Sequence, residues 1–205
     1  MSEGFRLILL ATNNRGKVVE LEKLLADLPV RVALLSDVVG AMDIPEPFGT
    51  FRENAAHKAL TGARLSGEWA LGEDSGLEVE ALGGRPGVYS ARLAGKGRPD
   101  AERVALLLQL IEGVLPERRA ARFRCALALA SPARLLGQWE GRSDGQITQR
   151  PRGTGGFGFD PVFVAEGMDR TNAELSTEEK NRISHRGEAI RTLREALPGL
   201  LAPCS

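Results

Sequence analysis

Residues 7–11, Leu-Ile-Leu-Leu-Ala, form an apolar run. After a polar turn, Val18, Leu21, Leu24, Leu25 and Leu28 recur at helical spacing with Glu20, Glu22 and Lys23 between them. Pro29 stops that helix, and residues 30–35 are apolar and β-branched enough for a second strand. Parallel strands cannot be joined by a tight turn, so strand, helix and strand in so short a span imply a helical crossover between parallel neighbours. The fold is therefore α/β, with at least part of its sheet parallel.

The turn between the first strand and the helix is Thr12-Asn13-Asn14-Arg15-Gly16-Lys17. A strand that re-enters as a helix aims several backbone N–H groups and the positive end of the helix dipole at one spot, which suits a phosphate. Asn13 and Asn14 can cap the helix or donate hydrogen bonds, and Lys17 places a compact cation in the first turn. It is not a P-loop: no glycine precedes Gly16-Lys17 at the required distance, and Val18 stands where Ser or Thr should meet magnesium. An ordinary strand-to-helix turn with a polar cap has the same composition, so this stretch alone does not decide between the two.

At 205 residues, 42% hydrophobic and 26% charged, the chain is expected to form a single domain, 1–205, with a core of its own. Lys plus Arg and Asp plus Glu both number 27, so no global field favours nucleic acid or an anionic membrane, and any anion must be held locally. No segment approaches the roughly 18 apolar residues of a membrane span, and the first residues lack the pattern of a secretion signal, so a cytoplasmic protein is expected. Cys125 and Cys204 give neither a disulfide framework nor metal-ligand spacing.

Further along, Pro45-Glu46-Pro47 holds Glu46 extended and presented, either to a ligand or simply to solvent. Residues 51–65 read as a helix whose Ala55, Ala56, Ala59, Leu60 and Ala63 make a face able to pack close to a sheet; Asn54 and Lys58, one turn apart, present together. His57 reads as a solvated helix residue. Residues 69–72 look like a short strand running into the turn Glu73-Asp74-Ser75-Gly76, with residues 77–82 the next strand. Residues 85–98 read as a long functional loop, and 100–111 as a helix capped by Asp100. Strands are expected at 122–130 and 135–141, joined through Ser131-Pro132, and Arg118, Arg119, Arg122 and Arg124 read as a solvated edge.

A second glycine cluster runs from Gly153 to Pro161 into a strand at 162–164. Its glycines allow close backbone approach to a ligand, and Phe157 and Phe159 can stack on a flat ring. Ser176-Thr177-Glu178-Glu179 is a capping box opening a short helix that carries Lys180, and Ser184-His185-Arg186-Gly187 precedes a last helix over 188–197 ended by Pro198. The loops together offer a phosphate cradle at 12–17, acids at 46, 73 and 74, a stacking pocket at 157–160, and cations at 180 and 186. This set fits a nucleoside polyphosphate with magnesium, held by Asp74 with Glu46 or Glu73. A carboxylate beside the metal can also deprotonate water for attack on phosphorus.

The segments at 12–17, 50–55, 74–77, 86–92 and 153–161, with Glu178-Glu179-Lys180 and Ser184-His185-Arg186-Gly187, resemble the motifs of the Ham1 family, the inosine triphosphate or dITP/XTP pyrophosphatases, in family order over residues 7–197. The resemblance implies a magnesium-dependent homodimeric enzyme that converts ITP, dITP and XTP to the monophosphate and pyrophosphate. It also implies a long central mixed sheet with two α/β lobes and the substrate in the cleft between them. Carried over by position, Thr12, Asn13, Asn14, Arg15, Gly16 and Lys17 would bind the triphosphate. Asp74 would accept a proton and hold metal, and Ser75 would contact substrate. Phe157, Gly158, Phe159 and Asp160 would hold base and sugar, and Lys180, His185 and Arg186 would contact base or phosphates. Donors facing the purine C6 position would accept a keto oxygen and reject an amino group. The chain departs from the family pattern in its compressed segment before Thr50, in Glu73 where aspartate is frequent, and in Phe159 where Tyr or Trp is commoner. The rivals are a pyrophosphatase for other modified nucleotides, such as pyrimidines, and a nucleotide-binding sensor in which Asp74 merely holds magnesium.

Overall fold

The structure, a computed structural model, describes residues 5–12 and 15–202. β1 (Arg6–Leu10), α1 (Arg15–Leu24) and β2 (Val30–Leu34) form the expected crossover unit, the two strands parallel with Ile8 opposite Val32. α2 (Ser36–Val39) and α3 (Phe51–Ser66) then lead to β3 (Trp69–Val79), which is parallel to β1 on its other side, Leu10 opposite Leu71. After α4 (Asp100–Leu110) come β4 (Ala120–Ala130), β5 (Leu135–Ile147) and β6 (Phe163–Ala165), then α5 (Thr177–Ile183) and α6 (His185–Leu201). The strand order is β2-β1-β3-β4-β5-β6; β6 runs antiparallel to β5, so the sheet is mixed. Among the described residues no helix is long and apolar enough to cross a membrane.

The chain divides into two compact units, one taking in the residues up to 74, 126–140 and those from 189 on, the other 75–125 and 141–188. In the first, Leu9, Ala11 and Leu35 form a core bordered by Leu7, Ala33, Met42 and Ile44. The alanine face of α3 is fully buried at Ala55, Ala59 and Ala63. It lies so close to β3 that a Cβ on Gly72 would fall 2.1 Å from the Ala55 carbonyl oxygen and 2.6 Å from the Ala59 nitrogen. On α6, Ala189, Ile190, Leu193 and Leu197 are buried, while Arg194 donates to the Leu24 carbonyl at the end of α1 and to Asp27. In the second unit, Leu77 and Val79 of β3 share a core with Val104 and Leu107 of α4, Ile111, Phe123 and Phe163.

Several expectations change in three dimensions. Residues 73–76 are not a turn but the middle of β3: a central strand occupies its backbone groups in the sheet, which overrides the turn preference of Asp-Ser-Gly. β3 ends at Val79, and residues 80–82 form a 3-10 turn. Asp100 is the first residue of α4 and does not cap it; the cap position is Pro99, without a side-chain bond. Arg119 is not at a solvated edge: it is buried and donates to the carbonyls of Ile111, Val114 and Thr148, since a buried guanidinium needs several acceptors. β5 runs past Gly141 to Ile147. Pro198 lies inside α6, where its missing N–H removes one bond from a helix that ends three residues later. His57 is half-buried, edge-on to Phe48 at 5.5 Å.

Gly72→Ala is expected to destabilise the protein by about 1–3 kcal/mol, the cost of forcing a methyl group into close-packed backbone. Urea denaturation of the variant against the parent protein measures it, and a midpoint unchanged within error would show that α3 can withdraw from β3.

Candidate active site

β1 has β2 on one side and β3 on the other, so the strand order reverses at β1, and in such sheets ligands collect outside the carboxyl ends of the strands at that point. β1 stops at Leu10 and Ala11 still donates to the Leu71 carbonyl, but β3 continues. Glu73 and Asp74 are thereby carried past the end of β1, both buried.

Around these two acids the first unit gathers side chains from three elements. Lys17, in the first turn of α1, reaches Glu73 Oε1 at 3.0 Å. Asn54 of α3 is wholly buried, and its amide donates to Asp74 Oδ2 at 2.9 Å and to the Phe48 carbonyl, while its oxygen accepts from the Phe48 N–H. One turn on, Lys58 places its ammonium 2.7 Å from Glu46 Oε1 and 3.9 Å from Asp74 Oδ1. Glu46, Glu73 and Asp74 thus meet the ammonium groups of Lys17 and Lys58. Thr12, at the end of β1, and Asp43, Glu46 and Lys58 line a cavity of about 200 Å³ with Ala11, Ser36 and Met42.

This set suits a hard divalent cation in a particular way. No group of three acidic, His or Cys residues is spaced to hold a metal by itself among the described residues. Yet Glu46 and Asp74 already address one cation, the Lys58 ammonium, so two carboxylates face a common point. Magnesium, which is usually held by one or two carboxylates plus phosphate oxygens, fits such a partial donor set.

The second unit builds a different pocket. Asp160 is buried and accepts from Lys180 Nζ at 2.5 Å, from the Phe157 N–H at 2.8 Å and from Asn172 at 3.3 Å. Phe157 is 50% exposed, with Lys180 Nζ 4.7 Å and the Arg186 guanidinium 5.3 Å from its ring centre. Lys180 rides on α5, whose Ser176 and Glu179 form the expected capping box. Arg170 and Ser176 hold the Glu179 carboxyl down at about 2. His185 and Arg186 open α6 and are buried; His185 stacks on Phe123 at 4.8 Å and is part of the interior.

Of the residues singled out in the sequence, Lys17, Glu46 and Asp74 come together in one unit, and Phe157, Asp160, Lys180 and Arg186 in the other. Arg15 and Gly16 begin α1, Ser75 is half-buried beside Asp74 on β3, and Asn13 and Asn14 lie outside the described residues. Phe159 does not offer a stacking face. It is only 4% exposed, in the core with Leu77 and Val162, because the 3-10 turn at 160–162 carries it inward. The glycines of its loop approach the protein itself: a Cβ on Gly153 would meet the Ala173 backbone at 2.5 Å, and one on Gly156 would meet Asp160 Oδ2 at 2.2 Å. Asn54 and Lys58, expected from the sequence to present together, do so towards Asp74, though the sequence assigns neither a partner there.

A sequence model of the Ham1 family matches residues 8–196. The dITP/XTP pyrophosphatase of Desulforamulus reducens is 47% identical over 190 residues, 93% of this chain and 94% of that protein. The dITP/XTP pyrophosphatase of Geobacillus kaustophilus is 49% identical over 188 residues, 92% of each. Among solved structures, a HAM1 protein from Coxiella burnetii superposes with a TM-score of 0.88 at 40% identity, covering 95% of this chain and 99% of that one.

Asn54→Ala strips a buried carboxylate of a donor and leaves both Phe48 backbone groups without this partner, so a loss of about 2 kcal/mol or more is expected in urea denaturation. Asn54→Asp, which sets a second carboxylate against Asp74, should be costlier at pH 8 than at pH 5, where protonation relieves the repulsion. For Glu179 the depressed value means that its contribution to stability is complete above the ordinary carboxyl range near 4.5 and is lost as pH falls towards 2. Carboxyl-carbon NMR should find its midpoint near pH 2 and an upward shift in Arg170→Ala.

Proposed function

The chain belongs to the Ham1 family, and on that premise we propose that it hydrolyses dITP, XTP and ITP to the nucleoside monophosphate and pyrophosphate. The observation that carries this reading is the setting of Asp74: a buried carboxylate in the middle of the central strand β3, just past the end of β1, steered by Asn54 and sharing an ammonium group with Glu46.

In this account water attacks at the anhydride linkage between the first and second phosphoryl groups, and the bridging oxygen leaves with pyrophosphate. Asp74 takes the proton from that water. Asn54 holds its carboxylate plane through Oδ2, so that little reorientation is needed during the reaction. Thr12, the start of α1 and Lys17 receive the triphosphate, the dipole and the ammonium offsetting its charge. Glu46 and Asp74 would hold magnesium, with Glu73 the alternative second carboxylate; when bound, the ion neutralises phosphate oxygens and lowers the pKa of coordinated water. Lys58 then bridges whatever negative charge gathers between the two acids.

We assign base recognition to the second unit. Phe157 supplies a ring for stacking, and Lys180 and Arg186, beside it, are obligate donors. Donors of this kind accept the keto oxygen of a deaminated purine and meet the amino group of adenine donor to donor. A buried donor left unpaired costs about 1–3 kcal/mol, so several together discriminate strongly.

Turnover of dITP, XTP, ITP, dUTP and ATP, read as pyrophosphate released, tests the assignment: the three deaminated purines should be cleaved well and ATP poorly. A preference for dUTP would move the enzyme to modified pyrimidines. Asp74→Asn should retain nucleotide binding while hydrolysis drops about 10²–10⁴-fold; binding without any hydrolysis by the parent protein would instead mark a sensor.

A further inference from the structure

Phe157 and Gly158 are adjacent in the glycine loop, and each gives its backbone N–H to a carboxylate. Phe157 donates to Asp160 Oδ2 at 2.8 Å, within the loop; Gly158 donates to Asp100 Oδ2 at 2.5 Å, which comes from a different element, the first residue of α4. Asp100 is in turn paired through Oδ1 with Arg103, one turn along α4. Arg103 donates to the Ala91 carbonyl at 2.6 Å, in the 3-10 turn Gly87–Arg92. A continuous polar chain thus runs from that turn through α4 to the loop.

Gly158 depends on this chain more than its neighbours do. Its φ of +62° lies in the left-handed region, and a Cβ built on it would meet no atom within 4 Å, so side-chain packing does not fix the backbone there. Gly153 and Gly156, by contrast, are wedged against Ala173 and Asp160. The direction of the half-exposed Phe157 ring follows from the backbone on its two sides: Asp160 fixes one and Asp100 the other.

We infer that Asp100 is a positioning residue for base recognition. Through Gly158 it sets the pose of Phe157 against Lys180 and Arg186, and with it the selectivity for deaminated purines. The inference rests on the function proposed above. Asp100 itself touches no reacting atom, and the acid that takes the proton, Asp74, belongs to the other unit. Its loss should therefore weaken selective binding and spare the chemical step.

Three proteins test this: the parent, Asp100→Ala and Asp100→Asn. In Asp100→Ala, KM for dITP and XTP should rise about tenfold, as for loss of one charge-assisted hydrogen bond in a recognition site, with kcat within about twofold and the preference over ATP reduced about tenfold. Asn keeps an acceptor oxygen at the same place, so Asp100→Asn should recover most of the KM. Hydrogen exchange of the Gly158 amide should accelerate about tenfold or more in Asp100→Ala and stay slow in Asp100→Asn. A merely structural role would move kcat, KM and melting temperature together, without rescue by Asn. Should Asp100→Ala fail to fold, Arg103→Met, which frees Asp100 without altering the first residue of the helix, carries the same expected rise in KM. If the parent cleaves dITP and XTP but KM is unchanged in the Asp100 and Arg103 variants, this inference falls and the proposed function stands. If the parent cleaves neither, both fall.

Discussion

The constraint behind the first unit is the desolvation of two adjacent carboxylates. Glu73 and Asp74 are buried on a central strand, and a carboxylate out of water is tolerated only when opposite charge and hydrogen bonds replace the solvent. Lys17 answers Glu73; Asn54 and Lys58 answer Asp74. Each comes from a helix that follows a strand parallel to β3 or adjacent to it in sequence, so the crossover connections both build the sheet and deliver the compensating groups. Glu46 joins them through Lys58, so three acids and two lysines meet in one cluster.

Close approach of α3 to β3 is the condition for this arrangement. Asn54 and Lys58 reach Asp74 because Ala55 and Ala59 lie against Gly72 backbone to backbone. A side chain at that contact would lift the helix, and with it both polar groups, away from the acid. Core packing and the polarity of the site are therefore one problem: the smallest residues of the helix face set the reach of its longest polar ones. Asn54 adds a second function, since its clamp on both Phe48 backbone groups anchors the segment that presents Glu46.

The second unit solves a related problem with one hub. Asp160 collects Lys180, Asn172 and the Phe157 N–H, so a single buried carboxylate fixes a cation, a loop and the ring between them. The glycines of that loop allow its backbone to fold onto Ala173 and Asp160. Phe157 stays at the surface while Phe159, two residues on, enters the core. Two aromatics that look equivalent in sequence differ because Phe159 sits directly before the 3-10 turn at 160–162 and is carried inward with it.

Local periodicity and composition determined the crossover unit at 7–35, the alanine face of α3, the capping box at 176–179 and the residue types of both clusters, because each is written in neighbouring positions. The family motifs added the expected role of Asp74. Tertiary structure decided the rest. Residues 73–76 carry turn chemistry, yet β3 runs straight through them and past the end of β1, and only the sheet reveals that. Arg119 looks like a solvent-facing charge and Asp100 like a helix cap until the carbonyls and the amide that they serve arrive from other segments. Lys58 is an ordinary helix residue until Glu46 and Asp74 close around it. Charge pairing over long sequence separations has no local signature, since it depends on where strands end relative to one another, and that is fixed by sheet register and by how closely a helix can lie upon it.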